Sequence, residues 1–237
     1  MIVLHGFGAG LGLPDVSPFV TKVEMLLKFA GLEYRVVTGN SLRAPKRKLP
    51  IIEEDGRIVA DSTFIRWYLE ERHGVDFDAG LDAAERAQAW AFERLLEDHI
   101  YWAYVHARWI DTANFAAGPG TFFARLPFGV RGAAGWFIRR AVRRRLHEQG
   151  MGRHAPDEIG RLAGASLAAL SDQLGGKAYL MGDRPCSTDA AMFAFLLGAQ
   201  HPGFSGPLTE AARGHQNLMD YTARMMAQYY PAMPYRP

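Results

Sequence analysis

Cysteine is nearly absent from this chain. Cys186 is the only one among 237 residues, which excludes an internal disulfide, and with no CxxC pair it argues against a cysteine-based zinc site. A reducing compartment is the simplest setting. Net charge is nearly absent too: 27 basic against 25 acidic residues leave +2, so no global field draws the chain to nucleic acid or to an anionic membrane. No stretch of about 18 apolar residues runs without charge, and the N-terminus carries no basic leader. These absences predict a cytoplasmic protein without membrane insertion. Internal repeats and low-complexity segments are missing as well.

What is present is a chain that is 49% hydrophobic, able to bury a substantial core as one large domain or two smaller ones. Ile2 to Leu4 reads as a buried first strand opening into a glycine-rich loop, Gly6 to Pro14, expected to be mobile. A dinucleotide fingerprint fails here, because Leu11 and Leu13 stand where its third glycine would fall. Ser17-Pro18 has the N-cap and first-turn residues of a helix that carries Phe19, Val20, Val23, Leu26 and Leu27 on one stripe and stops at Gly31, with Lys22 off that stripe. Tyr34 to Thr38 is a second strand.

The stretch from Lys48 to Tyr68 follows: a Leu49-Pro50 junction, an apolar pair (Ile51, Ile52), an Asp55-Gly56 turn, a second apolar run (Ile58, Val59, Ala60), and an acidic helix start at Asp61-Ser62. Asp-Gly between two apolar runs is a strong hairpin signal. The helix after it runs from about Thr63 to Arg72 and closes near Gly74, and Gly74 to Leu81 reads as a linker.

Beyond the linker only helical patterns appear. Asp82 with Glu85 forms a capping-box pattern at the head of a long helix ending near Ile110. Residues 111 to 135 are expected to break the helices, and Trp136 to His147 to resume them, with five arginines from Arg139 to Arg145. Those arginines are expected to form a solvated face with intramolecular acidic partners, an interaction surface being the alternative. A helix from Pro156, a nearly wholly apolar helix from Asp189 to Ala199, a last helix from about Leu208 to Gln228 and a Pro-rich tail complete the chain. His99 and His106 lie seven apart without a third ligand, so no metal site is expected.

The order strand, helix, strand, Leu-Pro, hairpin, acidic-Ser helix and then an all-helical half resembles the glutathione transferase superfamily. The phrases Ser17-Pro18-Phe19, Lys48-Leu49-Pro50-Ile51, Ala60-Asp61-Ser62-Thr63-Phe64-Ile65, Gly152-Arg153-His154 and Ser187-Thr188-Asp189-Ala190 resemble its subgroup related to failed axon connections protein and metaxins. The resemblance implies an α/β N-terminal thioredoxin-like domain over residues 1–76 and an all-α C-terminal domain over residues 82–237. It implies glutathione as co-substrate, a cis bond before Pro50 that lets the Leu49 backbone pair with the cysteinyl part of glutathione, and Asp61 and Ser62 on the γ-glutamyl end. Capping of the helix is the local alternative for Asp61 and Ser62.

Ser17 occupies the position of the residue that donates a hydrogen bond to the glutathione sulfur in serine-type members, with a plain N-cap as the alternative. With no cysteine in that half, chemistry through an enzyme thiol is not expected. Tyr101 and Tyr104 are candidates for the wall of the second-substrate pocket. The partners implied are glutathione, a small electrophile and a second copy in a homodimer. A catalytically weak binding or assembly module is the alternative to a transferase.

Overall fold

The structure is a computed structural model that describes residues 1–233; the end of the Pro-rich tail, residues 234–237, lies outside the described residues. Four strands, β1 (Ile2–Gly6), β2 (Tyr34–Thr38), β3 (Ile51–Glu54) and β4 (Arg57–Ala60), form one sheet in the order β2-β1-β3-β4. β1 and β2 run parallel across helix α1 (Pro18–Phe29), while β3 is antiparallel to both β1 and β4. Asp55 and Gly56 both take positive φ, 50° and 78°, the left-handed pair that a two-residue hairpin turn requires. Helix α2 (Ser62–His73) closes this half and ends on Gly74 in the left-handed conformation.

The helical half begins at the Asp82–Glu85 capping box, in which each side chain accepts from the other residue's backbone amide. Helix α3 (Ala83–Arg94) passes through a wide π turn (Leu95–Ile100) directly into α4 (Tyr101–Trp109). Then come α5 (Thr112–Ala117), a 3-10 turn (Pro119–Arg125), α6 (Phe128–Gln149), α7 (Pro156–Leu174), α8 (Ser187–Ala199), α9 (Pro207–Arg213) and α10 (Gln216–Tyr229). All of α8 is buried, as the unbroken apolar run from Ala190 to Ala199 demands. Asp189 fixes its start. Its carboxylate accepts from the backbone amides of Leu180 and Cys186 and from the Tyr221 hydroxyl, so Asp189 does the capping that the Cys186 thiol is poorly suited to do.

Two helix boundaries differ from the sequence reading. The expected break over residues 111–135 is mostly helical, and α6 starts at Phe128, eight residues before Trp136. Gly129, Gly132 and Gly135 lower the intrinsic propensity of that first part, yet Gly135 is buried close to the Phe115 ring, where packing overrides propensity. The expected single last helix is two, α9 and α10, separated at Gly214 and His215.

Lys22, off the apolar stripe of α1, is completely buried. Its ammonium donates to Glu93 Oε1 at 2.9 Å, to Glu97 Oε1 at 2.5 Å and to Ser62 Oγ at 3.5 Å. Arg66 reaches Glu93 at 3.2 Å, Asp78 at 2.5 Å and Glu70 at 2.8 Å, and Arg94 reaches Glu93 and Glu97 at 3.0 and 2.6 Å. Asp78 in turn accepts from the amide of Ser187 at the head of α8. Burial pushes the Glu93 carboxyl up, but Lys22, Arg66 and Arg94 outweigh it and hold it below the usual carboxylate range.

Removing one member of such a cluster strands the others. Lys22→Met takes away the ammonium at little change in volume and is expected to cost about 3–5 kcal/mol. The measurement is the urea midpoint and slope; a loss below about 1 kcal/mol would mean that Arg66 and Arg94 neutralise both glutamates unaided.

Candidate functional site

The hairpin brings the two halves of the Lys48–Tyr68 motif together. Ile51 pairs with Ala60, and the Asp61 amide donates to the Pro50 carbonyl at 3.3 Å, so Leu49-Pro50 and Asp61-Ser62 lie side by side at one end of the sheet. The Leu49–Pro50 peptide bond is cis. Register places the end of β1 there as well, because His5 pairs with Ile51. The contact of Lys22 with Ser62 then brings the first turns of α1 beside the first turn of α2. Ser17, Leu49, Pro50, Asp61 and Ser62 therefore collect at the same end of the sheet.

Their environments differ. Asp61 is exposed and holds an unusual backbone, φ 89°. One of its carboxylate oxygens accepts from the Thr63 amide at 3.1 Å, capping α2 and leaving the other oxygen outward. Ser62 is buried; its Oγ accepts from Lys22, which leaves the hydroxyl proton to donate. Ser17 stands at the N-cap position of α1 with extended backbone, yet its side chain makes no cap hydrogen bond. Its hydroxyl is thus not committed to helix α1.

The loop before Ser17 was expected to be mobile, and the structure pins it at both ends. Asp15 is buried, and its carboxylate accepts from the amides of Phe7, Gly8 and Ser17 at 2.8, 2.7 and 2.8 Å. From the helical half, His201 Nε2 donates to the Leu11 carbonyl at 2.5 Å while its Nδ1 accepts from the Gly203 amide. Since an amide can only donate, the proton sits on Nε2 and the ring is neutral; burial lowers the His201 pKa in the same sense. Neither fastening was visible in the sequence, because a glycine-rich loop reads the same whether tied or free.

Tyr101 is half-buried, its ring edge-on to Phe19 at 5.0 Å between centroids, two residues beyond Ser17. Tyr104 is buried in the core, its ring against Gly198, where an added Cβ would lie 2.7 Å from it, and under the guanidinium of Arg108. His99 bonds to Ser166 Oγ on α7. Among the described residues no group of three or more His, Cys, Asp or Glu is placed to hold a metal ion.

A four-stranded mixed sheet with one flanking crossover helix, a hairpin feeding an acidic-Ser helix start, and a helical second half define the glutathione-transferase type of fold, with a thioredoxin-like first half. Two family descriptions match: "Glutathione S-transferase N-terminal domain" over residues 18–114 and "Glutathione S-transferase, C-terminal domain" over residues 163–225. The chain belongs to the glutathione S-transferase family. It is 35% identical to isoprene-epoxide–glutathione S-transferase of Rhodococcus sp. (strain AD45), over 97% of this chain and 99% of that one. It is 31% identical to metaxin-1 of Macaca fascicularis, over 96% of this chain and 75% of that one, and 29% identical to failed axon connections of Drosophila melanogaster, over 98% and 58%. In fold it is similar to a beta-etherase from Sphingobium sp. strain SYK-6, with a TM-score of 0.66 at 20% identity over 98% of both chains. A glutathione S-transferase from Methylobacterium radiotolerans in complex with glutathione sulfonate gives a TM-score of 0.61 at 21% identity, over 100% of this chain and 96% of that one.

The Asp15 fastening has a pH signature. Burial, opposed by its three amide partners and reinforced by Glu24, raises its pKa from 3.8 to about 6. An acid whose folded pKa is raised binds its proton more tightly when folded, so stability falls as pH rises from about 4 to about 6 and is level above that. A shift of about two units corresponds to about 3 kcal/mol. Urea unfolding at both ends of that window is expected to give the wild type a loss of this order relative to Asp15→Asn, which has no proton to release.

Proposed function

We propose that this chain conjugates glutathione to a small electrophile, with Ser17 as the residue that holds the sulfur as thiolate. The supporting observation is the uncommitted Ser17 hydroxyl at the head of α1, at the same end of the sheet as the Leu49-Pro50 and Asp61-Ser62 pairs. The γ-glutamyl carboxylate sits at the N-terminus of α2 and accepts a hydrogen bond from the Ser62 hydroxyl, while the other Asp61 oxygen accepts one from the ammonium. The Leu49 backbone pairs with the cysteinyl unit like an added strand. A hydrogen bond to a charged acceptor contributes about 1.5–3 kcal/mol, which lowers a thiol near pKa 8.5 by about one to two units. That populates thiolate near neutral pH.

The electrophile proposed is an epoxide, the class that the name of the Rhodococcus relative gives. Sulfur attacks one ring carbon, the C–S bond forms as the C–O bond breaks, and the ring oxygen leaves with that electron pair and takes a proton from water. Tyr101, packed on Phe19, forms part of the wall facing the sulfur, with Tyr104 behind it as support. The reducing conditions that keep both glutathione and Cys186 as thiols put the protein in the cytoplasm.

Calorimetry with glutathione and a conjugation assay test this reading. Ser17→Ala is expected to keep glutathione binding while conjugation falls about tenfold or more, the loss of one charge-assisted hydrogen bond. Unchanged conjugation would remove Ser17 from the mechanism. Absence of glutathione binding at millimolar concentration would favour the second reading, a catalytically weak binding or assembly module, which the similarity to metaxin-1 and failed axon connections motivates.

A homodimer is part of the proposal. Phe64 and Trp67 on α2 and Trp90 on α3 form an exposed aromatic cluster, Trp67 stacked on Trp90 and Lys46 over the Phe64 ring. Exposed aromatic clusters of this kind mark protein contacts. Trp67→Glu is expected to convert a dimer into a monomer in sedimentation velocity, and an unchanged sedimentation coefficient would place the dimer contact elsewhere.

A further inference from the structure

From residue 112 to residue 154 the chain carries eight arginines and one acid, Glu148. Intramolecular partners were expected for the run Arg139 to Arg145, and the structure supplies few. Arg144 pairs with Glu148, and Arg139 donates to the carbonyls of Trp109 and Ile110, but Arg140, Arg143 and Arg145 make no salt bridge among the described residues. A local excess of positive charge thus stands on α6 although the whole chain is nearly neutral.

The same segment exposes large apolar side chains. Phe122, Leu126, Val130, Trp136, Phe137 and Ile138 are all exposed, with Trp136 at 57% and Phe137 at 65%. At 100° per residue, Val130, Ala133, Phe137, Ala141, Arg140 and Arg144 share the arc of α6 opposite the inward-facing Gly135, Val142 and Leu146. The outward surface is therefore apolar along its first part, while its end carries Arg140 and the Arg144–Glu148 pair, with Arg143 and Arg145 on either flank. Beside it opens a cavity of about 750 Å³ lined by Trp136, Arg139, Arg140 and Arg143 of α6 with Phe115 and Phe123 opposite, and no residue of the N-terminal half contributes to it.

We propose that α6 and the turn before it dock on an anionic lipid bilayer, with α6 in the interface plane. Val130 and Phe137, with Phe122 of the turn before, enter the boundary between headgroups and acyl chains, Trp136 and Ile138 lie along the two edges of that face, and Arg140, Arg143, Arg144 and Arg145 meet lipid phosphates at headgroup level. Apolar and aromatic side chains beside an arginine cluster are the composition of helices that lie in a bilayer surface. The apolar first part of the outward arc fits acyl chains better than a nucleic acid, which needs charge across the contact. A second copy is disfavoured on this face, because a two-fold contact would set the arginines against either the partner's arginines or its apolar part, with no acids to receive them. The cavity beside α6 shares no residue with the proposed thiol site, and the test variants leave in place Arg145, which lies within Coulombic range of Tyr101.

Co-sedimentation with vesicles tests the proposal on the full chain. Vesicles of equimolar phosphatidylglycerol and phosphatidylcholine are expected to bind it about tenfold or more tightly than phosphatidylcholine alone, with loss of binding at high salt. Two variants, Trp136→Ser with Phe137→Ser, and Arg140→Gln with Arg143→Gln and Arg144→Gln, are each expected to lower binding about tenfold while glutathione binding and the melting temperature stay unchanged. Equal binding to both vesicle types, or binding indifferent to both variants, overturns the proposal. So does complete displacement by free glycerol phosphate, which would mean a soluble-anion site, or patch-dependent binding to an RNA homopolymer or to a second copy.

Discussion

Everything at the junction of the two halves depends on one constraint: a buried ammonium must be neutralised where it sits. Lys22 on α1 has no exposure at all, and the carboxylates of Glu93 and Glu97 meet it from the helical half, 71 and 75 residues away. Charges removed from water at this depth persist only when paired and hydrogen-bonded, so the first half and the π turn after α3 are held to one relative position. Arg66 and Asp78 extend the cluster to the head of α8. Ser62 is bonded to the Lys22 ammonium of this cluster, so the group proposed to receive the γ-glutamyl carboxylate is set by the same charges that join the halves.

The loop that delivers Ser17 obeys a similar rule on a smaller scale. A chain with left-handed residues at Gly8, Leu11 and Gly12 gains little from regular hydrogen bonding, and its order comes from Asp15 within the loop and His201 from outside it. Asp15 ties the start of the loop to the head of the helix that follows Ser17, and His201 ties its middle, at Leu11, to the far half of the molecule. The position of the proposed thiolate partner is thereby a property of both halves.

Local signals were sufficient where the answer is local. The Asp55-Gly56 turn, the Ser17-Pro18 helix start and the Asp82–Glu85 capping box were each legible from residues within about one turn of one another, since backbone sterics and capping act over that range, and the nearly wholly apolar α8 was legible from its own run of residues. That Leu49-Pro50 and Asp61-Ser62 serve one site was implied by the family resemblance, and the register of the hairpin between them is what brings the two pairs side by side. The boundaries of α6 and the split between α9 and α10 were not, since contacts such as Phe115 on Gly135 and Pro207 on Gly160 belong to distant segments.

By itself, then, the sequence determined the order of the four strands and the first two helices and the all-helical character of the second half, because periodicity, turn chemistry and caps are short-range effects, while the candidate-site residues were implied by the family resemblance. Only the tertiary structure decided that Lys22 is a buried cation rather than a solvated one, that the glycine-rich loop is fastened, that the Ser17 hydroxyl is not used as a cap, and that Arg140, Arg143 and Arg145 make no salt bridge among the described residues. The reason is common to all four. Each turns on which groups from remote parts of the chain arrive within hydrogen-bonding or Coulombic range, and no pattern along the chain encodes that distance.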